Sequence, residues 1–399
     1  MAELTWHRPI KEGVARALLD IFSKGFYADK VVYFHLKENK KWGSRDRKRF
    51  AEAVYDISRW YRKLLAIHGT AWPQDDQAPA LQHSLAMQLI DLWTQHQEEL
   101  DSYQTKMGRA SDESIPNWLD KLGEEELGSN WSQTLRELNR LAPVFIRTNF
   151  LKGKSAQALR SLLDLGIKAE AVNGTEGAIK LTDRANIFKS KPYLEGLIEV
   201  QDLHSQQIAS WLKLEPGMRV IDACAGAGGK TLHIASLMQN RGKIVSMDIS
   251  EKKLEELKKR VKRAGASNVE TRVIDSTKVI KRLEGTADRL LLDVPCSGIG
   301  ALRRHPDAKW KIKKSDLLKV REVQTEILKT YSEMVKPGGV MVYATCSIFP
   351  SENERQVEAF LAHSENQWEL EGQKTFLPAS GGGDGFFVAR LRRLNLITK

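Results

Sequence analysis

The stretch Asp222-Ala223-Cys224-Ala225-Gly226-Ala227-Gly228-Gly229-Lys230-Thr231 decides the fold. It follows the apolar pair Val220-Ile221 and leads into helix-forming residues. Glycines in a strand-to-helix turn permit a tight reversal and let a ligand approach the backbone N–H groups at the helix start. The leading glycine of the phosphate P-loop is missing. Asp248 ends the next apolar run, about 20 residues past the glycines, where a carboxylate can reach ribose hydroxyls. Turn and acid together point to a nucleoside cofactor.

Outward from this turn, the chain alternates β-like and helical runs, the pattern of a parallel doubly wound sheet. Strands are expected at Val220–Cys224, Ile244–Asp248, Val269–Asp275, Arg289–Pro295, Gly339–Cys346 and Phe386–Leu391. Helices are expected through Leu254, Leu257 and Val261, through Val323, Ile327, Met334 and Val335, and through Val357 and Phe360 behind a Ser351/Glu354 capping box. Upstream, residues 141–208 read as a small α+β unit and residues 1–140 as all-helical, with one helix over Asp46–Ala66 and another through Leu85–Leu100. The catalytic domain is expected at 209–399.

Several functional classes are excluded. Three cysteines spaced 72 and 50 residues apart contain no CxxC pair, so neither a zinc site nor a disulfide framework is expected. No apolar run approaches membrane-spanning length, and Met1 to Ile10 lacks the core of a secretory signal, so a cytoplasmic protein without a membrane partner is expected. Lys plus Arg number 62 against 51 Asp plus Glu, a net +11 that points to a polyanionic partner. Residues 1–140 carry 20 basic and 21 acidic side chains, so the excess lies downstream, apart from ten basic against four acidic residues in Lys37–Lys63.

In an open parallel sheet, ligands bind beyond the carboxyl ends of the strands. Asp222, Asp248, Asp275, Asp293 and Cys346 all belong to that edge, and Cys296 sits in the loop after Asp293. Cys224, inside the turn, reads as a small buried hydrophobe. A thiol beside a nucleoside cofactor and a nucleic acid suits alkylation of a pyrimidine at C5. Cytosine C5 is a poor nucleophile until a soft thiolate adds at C6 and an acid stabilises the electron-rich adduct.

These motifs resemble the RNA cytosine-5 methyltransferases of the Sun type, and within them the enzymes of small-subunit ribosomal RNA. The likeness rests on the glycine turn, on Asp248, Asp275 and Asp293, on Pro295-Cys296-Ser297 and Thr345-Cys346-Ser347, and on Arg303-Arg304-His305-Pro306-Asp307 with Lys309-Trp310. It covers Leu141 to the C-terminus. Arg45-Asp46-Arg47 and the following helix look more loosely like a NusB-like RNA-binding domain. Ala227 departs from the family, which has proline there.

The resemblance implies a Rossmann-like α/β core that binds S-adenosylmethionine through Cys224, Ala225, Gly226, Ala227, Gly228, Gly229, Lys230, Asp248, Asp275 and Asp293. It implies Cys346 as nucleophile, Cys296 in product release and Asp293 in base activation, with no metal. Arg303, Arg304, His305, Lys309 and Trp310 are then expected at the RNA, since Ala301–Arg321 holds eight basic and two acidic residues. The expected product is 5-methylcytosine in 16S ribosomal RNA. Transfer RNA as substrate, and a catalytically silent ribosome assembly factor, stand as the alternatives. Nothing in the sequence demands more than a monomer.

Overall fold

A computed structural model describes residues 6–183, 185–365, 367–379 and 382–395. Residues 1–5 of the stretch screened for a secretory signal lie outside the described residues. The chain forms two compact units, one of residues 1–141 with 301–316, the other of 142–300 with 317–399.

The first unit is helical because its apolar residues recur every three to four positions. Helices Arg8–Phe22, Ala28–Glu38, Ser44–Arg59, Tyr61–His68 and His83–His96 turn Val14, Leu18, Phe50, Val54, Ile57, Leu64 and Leu89 into one core. The helix expected over Asp46–Ala66 is two helices, broken at Trp60 where ψ swings to 20°. The basic run divides. Lys37, Lys40, Lys41, Arg45 and Lys48 are exposed. Arg62 Nη1 instead donates to the Ile115 carbonyl at 2.7 Å, and Lys63 Nζ to those of Leu100 and Tyr103 at 2.6 and 2.9 Å.

Residues 301–316, where RNA contacts are expected, fold into the helical unit. Arg303 and Lys309 are each only 2% exposed. Lys309 Nζ donates to Asn139 Oδ1 at 3.0 Å, and burial, helped by Arg59, pulls its ammonium well below the usual lysine value. Trp310 packs on the helical core edge-on to Tyr61, 6.1 Å between centroids, with its Nε1 donating to the Ser58 carbonyl at 2.6 Å. A large aromatic ring gains more from burial beside a backbone acceptor than from facing water. Of the five expected RNA contacts, His305 is exposed, Arg304 and Trp310 are half-buried, and Arg303 and Lys309 are buried.

In the second unit, strands β1 (Val144–Thr148), β2 (Ala169–Ala171), β3 (Ala178–Leu181) and β4 (Ile198–Val200) form an antiparallel sheet in the order β2-β3-β1-β4. Its helix Ser155–Leu163 buries Ala158 and Leu162. This sheet is fastened to the helix Glu251–Ala264. Asn149 Nδ2 donates to the Ala264 carbonyl at 2.8 Å, and buried Glu199 pairs with Arg260 and Arg263.

The larger sheet contains β5 (Arg219–Asp222), β6 (Lys243–Asp248), β7 (Val269–Val273), β8 (Ala287–Asp293), β9 (Val335–Thr345), β10 (Trp368–Phe376) and β11 (Phe386–Arg393), in the order β10-β11-β9-β8-β5-β6-β7. The run from β7 to β9 is parallel, while β11 and β10 are antiparallel additions. Counted within this sheet the order is 3-2-1-4-5-7-6, and it reverses between β5 and β8, which opens a crevice at their carboxyl ends. Three expectations are corrected. β10 was not foreseen, Val335 starts β9 and does not end a helix, and the Ser351/Glu354 capping box does not form. Glu354 Oε1 accepts instead from the Thr375 hydroxyl at 2.5 Å.

Because Trp310 is seated in the helical core, Trp310→Ala should destabilise that unit by about 2–4 kcal/mol. Urea denaturation followed by helical circular dichroism measures this; an unchanged midpoint with weakened RNA binding would return Trp310 to the RNA surface.

Candidate functional site

The crevice is built from the turn upward. Ala223 N donates to the Leu291 carbonyl at 3.0 Å and Ala225 N to that of Met247 at 2.8 Å, so the turn continues the hydrogen bonding of its two neighbouring strands. Gly226 and Gly228 take φ of +54° and +87°, values that favour glycine. At Gly228 a Cβ would also lie 1.9 Å from Leu257 Cδ1, whereas at Gly226 it would meet nothing within 4 Å. The backbone is thus pressed onto the helix Glu251–Ala264 at one glycine and open at the other.

Asp248 lies behind the open glycine. Its Oδ2 accepts from Gly226 N and its Oδ1 from Ser250 N, both at 2.8 Å, so the carboxylate shapes the turn it borders. Asp275 follows β7, is exposed, and accepts from the hydroxyl of Ser276 at 3.0 Å. An open glycine, an acid on the second strand and an exposed acid after the third fit a nucleoside cofactor with ribose and base to hold.

Lys230, in the first turn of the helix Gly229–Leu237, donates from Nζ to Asp293 Oδ2 at 2.7 Å and lies 5.3 Å from the Phe386 ring centroid. Burial works against its ammonium, but Asp293, Cys346 and Asp222 together hold it above the usual lysine value. The pair joins the cofactor turn to the thiol side of the crevice.

Cys296 Sγ and Cys346 Sγ are 2.9 Å apart, and Cys346 N points at Cys296 Sγ from 3.2 Å. Both cysteines are free and half-buried. The hydrogen bond to Cys346, reinforced by burial, keeps the Cys296 thiol well above its usual value. Cys296 can therefore donate its S–H to Cys346. Cys224 is likewise pushed well up by burial among acids, and packs against the apolar core. The structure thus brings Asp293, Cys296, Cys346 and the glycine turn to one edge of one sheet. Arg303, Lys309 and Trp310 belong to the helical unit.

Sequence reasoning missed two groups here. Asp222 had been placed on the edge without a role. It is fully buried, accepts from the Thr231 hydroxyl at 2.6 Å, and is pushed up to about 7 by burial. Glu352 is also fully buried, beneath both cysteine loops. Its signal was faint, one acid among three in Ser351-Glu352-Asn353-Glu354-Arg355-Gln356-Val357-Glu358. Among the described residues, no group of three or more His, Cys, Asp or Glu is disposed to hold a metal ion, and no helix is long and apolar enough to cross a membrane.

With the geometry in place, comparison with known proteins is specific. Residues 209–392 match the family model described as 16S rRNA methyltransferase RsmB/F, and residues 115–188 match its ferredoxin-like domain. The probable ribosomal RNA small subunit methyltransferase B of Synechocystis is 33% identical over 309 residues, 73% of this chain and 69% of that protein. Ribosomal RNA small subunit methyltransferase B of Photorhabdus laumondii is 32% identical over 327 residues, covering 79% and 75%. The crystal structure of PH0851 shares the fold across 98% of this chain and all of its own, with a TM-score of 0.81 at 24% identity.

The raised Asp222 pKa carries a sign that can be tested. Folded, the group keeps its proton up to about pH 7; unfolded, it loses it near the ordinary 3.8. Its contribution to stability is therefore full below pH 3.8 and lost as pH rises through about 7. Across that window wild type should lose up to about 1.4 kcal/mol per pH unit relative to Asp222→Asn. Urea denaturation of both proteins from pH 4 to 8 measures this, and parallel curves would refute it.

Proposed function

The chain belongs to the 16S rRNA methyltransferase RsmB/F family, whose members methylate ribosomal RNA with S-adenosylmethionine, and from that premise we propose that it forms 5-methylcytosine in 16S ribosomal RNA through a covalent cysteine adduct. The observation that carries the reading is the pair of strand-end thiols 2.9 Å apart, facing the Lys230–Asp293 pair across the crevice edge.

The glycine turn, Asp248, Asp275 and Asp293 would hold S-adenosylmethionine, which would supply the methyl group taken up at C5. The chain's own residues do the rest. The Cys346 thiolate adds to C6 of the target cytosine, forming a C–S bond and moving the electron pair of the C5–C6 double bond into the ring. The Lys230 ammonium, 2.7 Å from Asp293, passes a proton to its carboxylate, and Asp293 then donates a hydrogen bond to N3 of the base and stabilises this electron-rich adduct. C5, now nucleophilic, takes the methyl group. Its proton then leaves to solvent, the electrons of that C–H bond rebuild the double bond, and the sulfur departs from C6. Cys296 assists the last event by donating its S–H hydrogen bond to the leaving Cys346 thiolate. Cys224, its thiol pushed well up by burial, adds no competing nucleophile.

Exposed lysines such as Lys37, Lys40, Lys41, Lys313 and Lys314 are the phosphate contacts this reading favours in the first unit.

An assay with labelled methyl donor and 16S RNA tests the mechanism. Cys346→Ala should abolish transfer, by at least a factor of about 10³ if the covalent route supplies the rate. Cys296→Ala should retain addition and accumulate a denaturant-resistant RNA–protein adduct. Full activity in Cys346→Ala would overturn the mechanism, and an adduct formed through Cys296 would exchange the two roles.

A further inference from the structure

Glu352 takes no part in the chemistry above, yet it touches both thiol loops. It ends the short turn Pro350–Glu352 just after β9 and is fully buried. Its Oε1 accepts from the Ser297 and Ser347 hydroxyls, both at 2.6 Å. Its Oε2 accepts from Ser297 N at 2.7 Å and from Gln324 Nε2 at 3.3 Å. Ser297 directly follows Cys296, and Ser347 directly follows Cys346. One carboxylate oxygen therefore receives the hydroxyl next to each thiol. Gln324 extends the arrangement to the residue before Cys296, donating to the Pro295 carbonyl at 2.9 Å. Glu352's own carbonyl is held by the Tyr343 hydroxyl at 2.7 Å, which fixes it to β9.

A buried carboxylate costs several kcal/mol in lost hydration unless donors replace the water. A fold that needed only to fill this space could do so with an amide or an apolar residue. Placing a charge here, with its donors taken from the two cysteine loops, points to a mechanical and electrostatic task. We propose that Glu352 is the positioning residue of the thiol pair, locking the Cys296 and Cys346 loops in the register that gives each sulfur its own role. This rests on the reading of Cys346 as the attacking thiol.

The charged and titratable groups facing Cys296 support it. They are Cys346, Glu352 and the Tyr343 hydroxyl, and the Glu352 charge adds to the hydrogen bond and burial that keep the Cys296 proton in place. Without that carboxylate, Cys296 ionises more easily and the two loops lose their common acceptor. The thiols then converge in reactivity.

The test uses Glu352→Gln in the full-length protein. First, alkylation by iodoacetamide is followed from pH 6 to 10, with each cysteine quantified by peptide mass spectrometry. In wild type, Cys296 should react only well above the pH usual for a thiol. In Glu352→Gln its profile should move to lower pH, with its rate at a fixed pH rising about tenfold or more. Second, methyl transfer should fall about a hundredfold in kcat, with KM for RNA within twofold. Profiles and kcat both within twofold of wild type would overturn the proposal.

If Glu352→Gln fails to melt cooperatively, the double variant Ser297→Ala/Ser347→Ala decides. It removes the two hydroxyl donors and leaves the carboxylate, so kcat should drop at least fivefold while the Cys296 profile stays in place; unchanged kcat would overturn the clamp. The alkylation profile needs neither RNA nor cofactor. A shifted profile in a protein whose wild type transfers no methyl group to cytosine would remove the proposed reaction and leave the clamp standing.

Discussion

The molecule's chemistry depends on the reversal of strand order between β5 and β8. Connections leaving these two strands run to opposite sides of the sheet, so their loops part and leave an opening that no side chain has to be sacrificed to create. The glycine turn forms one wall, and the Asp293–Cys296 loop forms the other. Lys230 and Asp293 reach across at 2.7 Å, one from each wall. β9, next to β8, then brings Cys346 to the same edge, 2.9 Å from Cys296. A chemistry that needs a methyl donor and a nucleophile within one reach is served by adjacency in the sheet, although its residues are far apart in the chain.

Charge in this edge is rationed. Burial makes ionisation costly at Asp222 and Cys224, deepest in the turn, and pushes both groups up. The acids that remain have partners: Asp293 is paired with Lys230, and Glu352 accepts from the hydroxyl, amide and backbone donors around it. Cys346 has the Cys296 sulfur at 2.9 Å beside it.

Much of this was legible in the chain, for a physical reason. Strands β5, β6, β8 and β9 are covered on both faces and so read as unbroken apolar runs ending in Asp222, Asp248, Asp293 and Thr345-Cys346. β10 was not legible. It pairs on one side only, shifts register between Leu370 and Gly372, and alternates Trp368, Leu370 and Phe376 with Glu369, Gln373 and Lys374. The helix boundary at Val335 was misread because its neighbours Met334 and Ile327 carry the same apolar character into the strand. Lys309 and Trp310 defeated the reading for another reason. Basic and aromatic content can be counted, but which carbonyl a lysine finds, or which core a ring enters, is settled by tertiary packing. Glu352 was hidden in the same way, since nothing local separates a buried acid from the exposed ones beside it.

The placement of residues 301–316 in the helical unit has a consequence for how this protein can be divided. The backbone passes between the units three times, at 141/142, 300/301 and 316/317. No single cut releases the helical unit intact. A chain beginning at residue 142 would keep Lys309 and Trp310 but lose Asn139 and Ser58, the acceptors that satisfy them. The front of the molecule is therefore not an accessory that could be added to or removed from a finished enzyme as a block. Its interior is completed by a stretch of chain that leaves and re-enters the catalytic unit, so the two must be inherited, and made, together.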